Sequence, residues 1–69
     1  MIQVRSQVRI TSFVLDSLNG LLVEITEIDK CSVQTYFVGK LLEQPPKDSG
    51  YNLGDEITFI KKELITPKL

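Results

Sequence analysis

Apolar and polar residues alternate along most of the chain. Val4, Ser6, Val8, Ile10, Ser12 and Val14 interleave with Arg5, Gln7, Arg9, Thr11, Phe13 and Leu15. The first set is largely apolar and the second opens with four polar members, which predicts a half-buried strand over Val4–Val14. Phe13 and Leu15 break the polar face near its end, so either both faces become covered there or the strand bends. Asp16-Ser17-Leu18-Asn19-Gly20 reads as a reversal, because Asn-Gly tolerates the positive φ values of tight hairpin turns. A short helical turn over Asp16–Leu18 is compatible with it. A second strand is predicted over Leu21–Ile28, with Val23 and Ile25 on one face and Glu24 and Thr26 on the other. Asp29-Lys30 begins the next turn, with Cys31 and Ser32.

The third strand, Val33–Leu42, sets Val33, Thr35, Phe37, Gly39 and Leu41 against Gln34, Tyr36, Val38, Lys40 and Leu42. Gly39 in mid-strand marks a bulge or a sharp bend, which small barrels need to close their sheet. Gln44–Asn52 is a loop: Pro45 and Pro46 deny two donors to any ladder, and Lys47-Asp48-Ser49-Gly50 is turn chemistry. A loop this long in so small a domain is often functional. Leu53-Gly54-Asp55 leads into a fourth strand, Glu56–Ile60, with Ile57 and Phe59 inward and Asp55 bonding turn backbone. Lys61–Leu64 fits one turn of 3₁₀ helix that returns Leu64 and Ile65 to the core, and Pro67 ends regular structure.

Short strands joined by tight turns predict one all-β domain over residues 1–69. The expected form is a small SH3-like curled barrel of four to five antiparallel strands, with an OB-fold-like barrel as the alternative. An open sheet would instead leave edges free to pair, with residues 3–12 the candidate strand for dimerisation. A barrel this short has little interior for a pocket, so function is expected on its surface or between copies.

Composition narrows the chemistry. One cysteine and no histidine among 69 residues exclude an internal disulfide, the usual zinc ligand sets and a histidine-based triad within one chain. Cys31, in a turn with nothing to activate it, reads as an incidental free thiol. In a regular strand Glu24 shares its face with Thr26 and Ile28, and Glu27 and Asp29 take the other, so no carboxylate pair is expected. Phosphate loops and dinucleotide fingerprints are absent from the sequence, and no cofactor is indicated. Eight basic and nine acidic residues give a net charge of −1, which argues against a nucleic-acid role. The basic residues sit near the two ends (Arg5, Arg9; Lys61, Lys62, Lys68) and would merge into one face if the first and last strands were neighbours. No apolar stretch approaches the ~20 residues of a membrane span, and no signal-peptide pattern is visible. A cytoplasmic setting without membrane contact is therefore the expectation.

Val23-Glu24-Ile25-Thr26-Glu27-Ile28-Asp29, Gly39-Lys40-Leu41 with Pro45 following, and Leu53-Gly54-Asp55-Glu56-Ile57-Thr58-Phe59 with Ile65 resemble the YegJ-like domains, a small bacterial family. Those domains show a V-x-V-T-x-I-D strand, a G-x-L-x-N-x-P segment and an L-x-x-G-D-x-V-x-F strand. The resemblance covers about residues 21–65. It implies an SH3-like barrel and no particular activity. Here no tryptophan precedes the Val23 strand, Gln44 stands at the asparagine-like position, and Thr66 follows Ile65 where an aspartate is usual.

The functional expectation is a non-enzymatic binding module for another protein, self-association included. Tyr36, Val38, Pro45, Pro46 and Tyr51 are its candidate contact surface, with Phe13, Leu15 and Leu42 as further apolar positions. Two other readings stay open. One is a nucleic-acid-binding barrel using Arg5, Arg9, Lys40, Lys61 and Lys62. The other is a small-ligand binder with its pocket between subunits. Such compact chains also occur among phage and mobile-element proteins.

Overall fold

The computed structural model describes residues 2–14 and 16–65; the expectations placed on Leu15, Pro67 and Lys68 fall outside them. Within these residues the chain is all-β. Five strands, β1 (Gln7–Ile10), β2 (Leu22–Lys30), β3 (Thr35–Leu41), β4 (Glu56–Ile60) and β5 (Leu64–Ile65), are joined in part by single 3₁₀ turns at Asp16–Leu18, Lys47–Ser49 and Lys61–Glu63. All pairings are antiparallel, in the order β4-β3-β2-β1-β5. Among the described residues no helix is long and apolar enough to cross a membrane.

Period-two patterning finds its expected outlet on one face of this sheet. Val8, Ile10, Val23, Ile25, Phe37, Leu41, Ile57, Phe59 and Leu64 are buried, with Leu18 of the first 3₁₀ turn beneath them. Phe13 reaches the same core, its ring centroid 5.1 Å from that of Phe59 in a tilted arrangement. The sheet must curl to achieve this. β4 and β5 lie at opposite edges, four strand spacings or about 19 Å apart in a flat sheet, yet only Lys61–Glu63 connects them. A 3₁₀ turn rises about 2 Å per residue, so the edges must approach. No ladder joins β4 to β5 among the described residues.

The first strand is shorter than its alternation predicts. Arg5 and Ser12 both hold positive φ, 76° and 55°, and these breaks leave only Gln7–Ile10 as strand. The Ser6 carbonyl accepts from Ile25 N–H (2.8 Å), while Ser6 N–H donates to the Gln3 carbonyl (2.9 Å). Nor is the reversal after β1 a tight hairpin. It runs through the 3₁₀ turn, with Gly20 N–H donating to the Ile10 carbonyl (2.7 Å) and Phe13 N–H to Asn19 Oδ1 (3.0 Å). β1 is also interior, flanked by β2 and β5. Residues 3–12 therefore do not form the free edge expected of them; the sheet ends at β4 and β5.

The predicted irregularity near Gly39 is real but sits on the partner strand. Ile25 pairs with Gly39 and Glu27 with Val38, so Thr26 is an extra residue, a β-bulge. Gly39 supplies space: a Cβ there would lie 3.2 Å from Phe59 Cε2 and 3.2 Å from Val23 Cβ. The bulge reverses the facing of everything after it, since a one-residue slip moves side chains to the opposite face. Ile28 and Lys30 join Val23 and Ile25 on the inner face, and Glu27 and Asp29 join Glu24 outside. The expectation that Glu24 and Glu27 fall on opposite faces is thus corrected.

After β4, Glu63 folds its carboxylate back so that Ile60 N–H donates to Oε1 (2.8 Å), and its carbonyl accepts from Thr11 N–H (2.7 Å). These bonds account for a carboxylate that is buried. Leu64 enters the core as expected, whereas Ile65 stays 52% exposed, because adjacent strand residues face opposite sides.

Candidate functional site

Three surfaces follow from this register: the outer face of β3 and β4, the free side of β4, and a cleft at the β2–β3 hairpin end. Tyr36 and Val38 stand on the outer face of β3. Ile60 and Thr58 oppose them from β4, and Asp29 and Glu27 from β2. Tyr36, Val38 and Ile60 make an apolar strip bordered by two carboxylates.

The other candidate contact residues lie elsewhere. Pro45 is buried and offers no contact surface, and Tyr51 packs half-buried against the core. Pro46 is exposed at the start of the Lys47–Ser49 turn. The loop carrying them is tied by its own bonds: Ser49 Oγ donates to the Pro46 carbonyl (2.7 Å) and accepts from Tyr51 N–H (3.2 Å). Asp55 Oδ2 accepts from Asn52 N–H (2.9 Å), the turn-fixing role its position suggests. Tyr36 and Val38 adjoin on β3, whereas Pro46 and Tyr51 are joined through Ser49 in the loop.

The candidate nucleic-acid residues are dispersed too. β1 and β5 are neighbours, but Arg9 is engaged: its Nη1 donates to the Gly20 carbonyl (2.9 Å) and meets Glu43 Oε1 (3.4 Å). The same Oε1 accepts from Leu22 N–H (3.0 Å), so this pair fastens the β1–β2 reversal to the end of β3. Lys40 pairs across the sheet with Glu24 on one side and Glu56 on the other. Arg5 lines a shallow depression with Glu24. Lys62 is exposed on the 3₁₀ turn, and Lys61 turns toward the hairpin cleft. Arg9, Lys40 and Arg5 thus each have a glutamate beside them.

Among the described residues β4 has a strand partner on one side alone. Ile60 N–H points away from β3 toward Glu63. Strand backbone groups alternate in direction, so the N–H and C=O groups of Thr58 and Glu56 point the same way. Among the described residues no backbone hydrogen bond reaches that side. Thr26 Oγ1 spans the strands beside it, within 3.2 Å of the Val38 carbonyl and 3.1 Å of Glu56 Oε2.

The cleft opens on the inner face, beyond the end of the core, with a volume of about 530 Å³. Ile28 and Phe37, paired across the β2–β3 hairpin, form its floor; Ile2 and Val4 form a wall; Lys30 and Lys61 stand at its rim. Among the described residues no carboxylate lines it. The sequence pattern does not announce this feature, because regular alternation places Ile28 on the outer face and a barrel this short has little interior for a pocket. The bulge at Thr26 is what turns Ile28 and Lys30 toward it. The residues that line it belong to one copy of the chain.

Cys31 is exposed on the hairpin turn, and no group of three metal-ligating side chains occurs among the described residues. Compared with known proteins, the chain matches no family model, no curated protein and no solved structure. Its likeness to the YegJ-like domains therefore rests on the quoted residues alone.

Proposed function

We propose that this protein is a non-enzymatic binding module on an SH3-like curled sheet, and that it pairs with a second copy of itself through β4. Each strand neighbours its sequence neighbours, except that β5 returns beside β1. That is the order of a curled up-and-down meander, and it supports the SH3-like reading over the Greek-key OB-fold. The observation that carries the function is the unpaired side of β4, next to the Tyr36–Val38–Ile60 strip. Strand addition at an open edge takes its affinity from main-chain hydrogen bonds and its specificity from neighbouring side chains.

The sequence of β4 suits a two-fold partner. Antiparallel pairing centred on Thr58 sets Thr58 against Thr58 and Glu56 against Ile60, so no like charges oppose. Glu63 occupies the Ile60 N–H at one end, which keeps the open stretch short and the association reversible.

Sedimentation equilibrium at tens of micromolar, with and without Thr58→Lys, tests this. A charge on an edge strand blocks pairing without entering the core. The expected result is a dimer for the parent chain and a monomer for Thr58→Lys at unchanged melting temperature. A parent chain of single-chain mass at every concentration, or a dimer that persists in Thr58→Lys, would overturn it.

A further inference from the structure

The hairpin cleft carries an inference that goes beyond the β4 reading and does not depend on it. We infer that the cleft binds a medium-chain carboxylate, a small amphiphile with one anionic head. Its apolar chain would lie on Ile28 and Phe37 against Ile2 and Val4, and its head between Lys30 and Lys61.

Shape, polarity and charge all favour that occupant. A volume of about 530 Å³ falls within the usual range of small-molecule sites, and such sites combine apolar walls with a few polar groups that orient the ligand. The floor is part of the inner sheet face: Phe37 is 5% exposed, and Ile28 packs half-buried against the core. Among the described residues both charged side chains at the rim are cationic, and both are exposed, so an incoming anion meets no carboxylate from them. This sign depends on the bulge. Were β2 regular, Glu27 and Asp29 would face the cleft in place of Ile28 and Lys30, and the same opening would be acidic and polar.

The backbone around the cleft argues against a peptide. Gln3 spends both main-chain groups within its own turn, its N–H donating to Ser6 Oγ (2.9 Å) and its carbonyl accepting from Ser6 N–H (2.9 Å). Lys30 and Thr35 pair with each other across the hairpin. A peptide would bury amide groups against Ile2, Val4, Ile28 and Phe37, whose side chains cannot satisfy them, at a cost an alkyl chain does not incur.

Two-dimensional NMR titration with sodium octanoate, kept below micelle formation, tests the inference. Octylamine, the peptide acetyl-Gly-Gly-Leu and the double variant Lys30→Glu/Lys61→Glu serve as comparisons. Octanoate is expected to shift the resonances of Ile2, Ile28 and Phe37 and to leave those of Tyr36 and Val38 unmoved. Octylamine and the peptide should bind the parent chain at least about tenfold more weakly, and the charge-reversed variant should lose octanoate by a similar factor while melting at the parent temperature. Thr58→Lys should bind octanoate as the parent does, which separates this site from the β4 edge. Equal binding of octanoate and octylamine, tighter binding of the peptide, perturbations confined to the outer face, or no perturbation at all would each overturn the inference.

Discussion

Deletion of Thr26 is expected to leave the sheet intact, whereas deletion of Glu24, two residues earlier, is expected to bring it close to unfolding. Thr26 is the extra residue of the bulge, with Ile25 paired to Gly39 and Glu27 to Val38 on either side of it. Its removal lets the ladder continue, and Glu27, Ile28, Asp29 and Lys30 keep their faces. The loss is a hydroxyl within reach of the Val38 carbonyl and Glu56, about 1 kcal/mol. That is offset by a similar amount, because one residue fewer is ordered on folding. Without Glu24 the bulge absorbs the gap only by moving Thr26 inward to the position of Ile25, which is 0% exposed. Trading that side chain for threonine loses apolar burial and strands a hydroxyl in the core, about 3 kcal/mol together. Drawing Leu22 inward instead breaks the bonds that its N–H makes to Glu43 and its carbonyl accepts from Leu42 N–H. Against a total stability of roughly 3–10 kcal/mol for a chain of this size, the second deletion is severe. Thermal and urea unfolding, followed by far-UV circular dichroism and tyrosine fluorescence, should show the Thr26 deletion within a few degrees of the parent. The Glu24 deletion should melt roughly 12–24 °C lower. Equal destabilisation by the two deletions would refute the bulge as the reason for the facing of β2.

Gly39→Ala adds a Cβ 3.2 Å from Phe59 and Val23; overpacking outweighs the entropy gained from losing a glycine, so urea unfolding should show a net loss of about 1 kcal/mol. Glu63→Ala leaves the Ile60 N–H without its acceptor and should cost about 1–2 kcal/mol by the same measurement, while Glu63→Gln, which keeps an oxygen there, should cost less than half as much. Arg9→Ala removes a half-exposed ion pair with Glu43 and should cost under about 1 kcal/mol, less in molar salt; a larger loss would give Arg9 a role beyond fastening the reversal.

The sequence reveals the inner face well up to Ile25. Alternation identifies Val8, Ile10, Val23, Phe37, Leu41, Ile57 and Phe59 because each strand solves the same burial problem locally. The 3₁₀ turn at Lys61–Glu63 is legible for a similar reason, as the apolar Leu64 must return to the core after β4. What was not legible depends on partners distant in sequence. Nothing in Thr26 announces a bulge, since the slip is set by how β2 registers against β1 and β3 together. Arg5 and Ser12 adopt positive φ without being glycine, asparagine or aspartate, so the early end of β1 left no local mark. The cleft was invisible for both reasons: its floor depends on the bulge, and its wall depends on where the chain before β1 is turned.

The pairing of β1 with β5 also bears on the order in which the protein assembles. β2, β3 and β4 are adjacent in sequence and pair locally, whereas the Arg9–Ile65 contact closes almost the whole chain into a loop. Loop-closure entropy makes such a contact form late. Among the described residues β5 comprises Leu64 and Ile65, and it should also be among the first elements to open, exchanging its amide hydrogens well before the meander does. Lys61 is held over the cleft by the turn that β5 anchors. When β5 lets go, the cleft loses one of its two cations, and an anion bound there holds β5 in place. Occupancy of the cleft and closure of the chain ends are thus a single linked equilibrium.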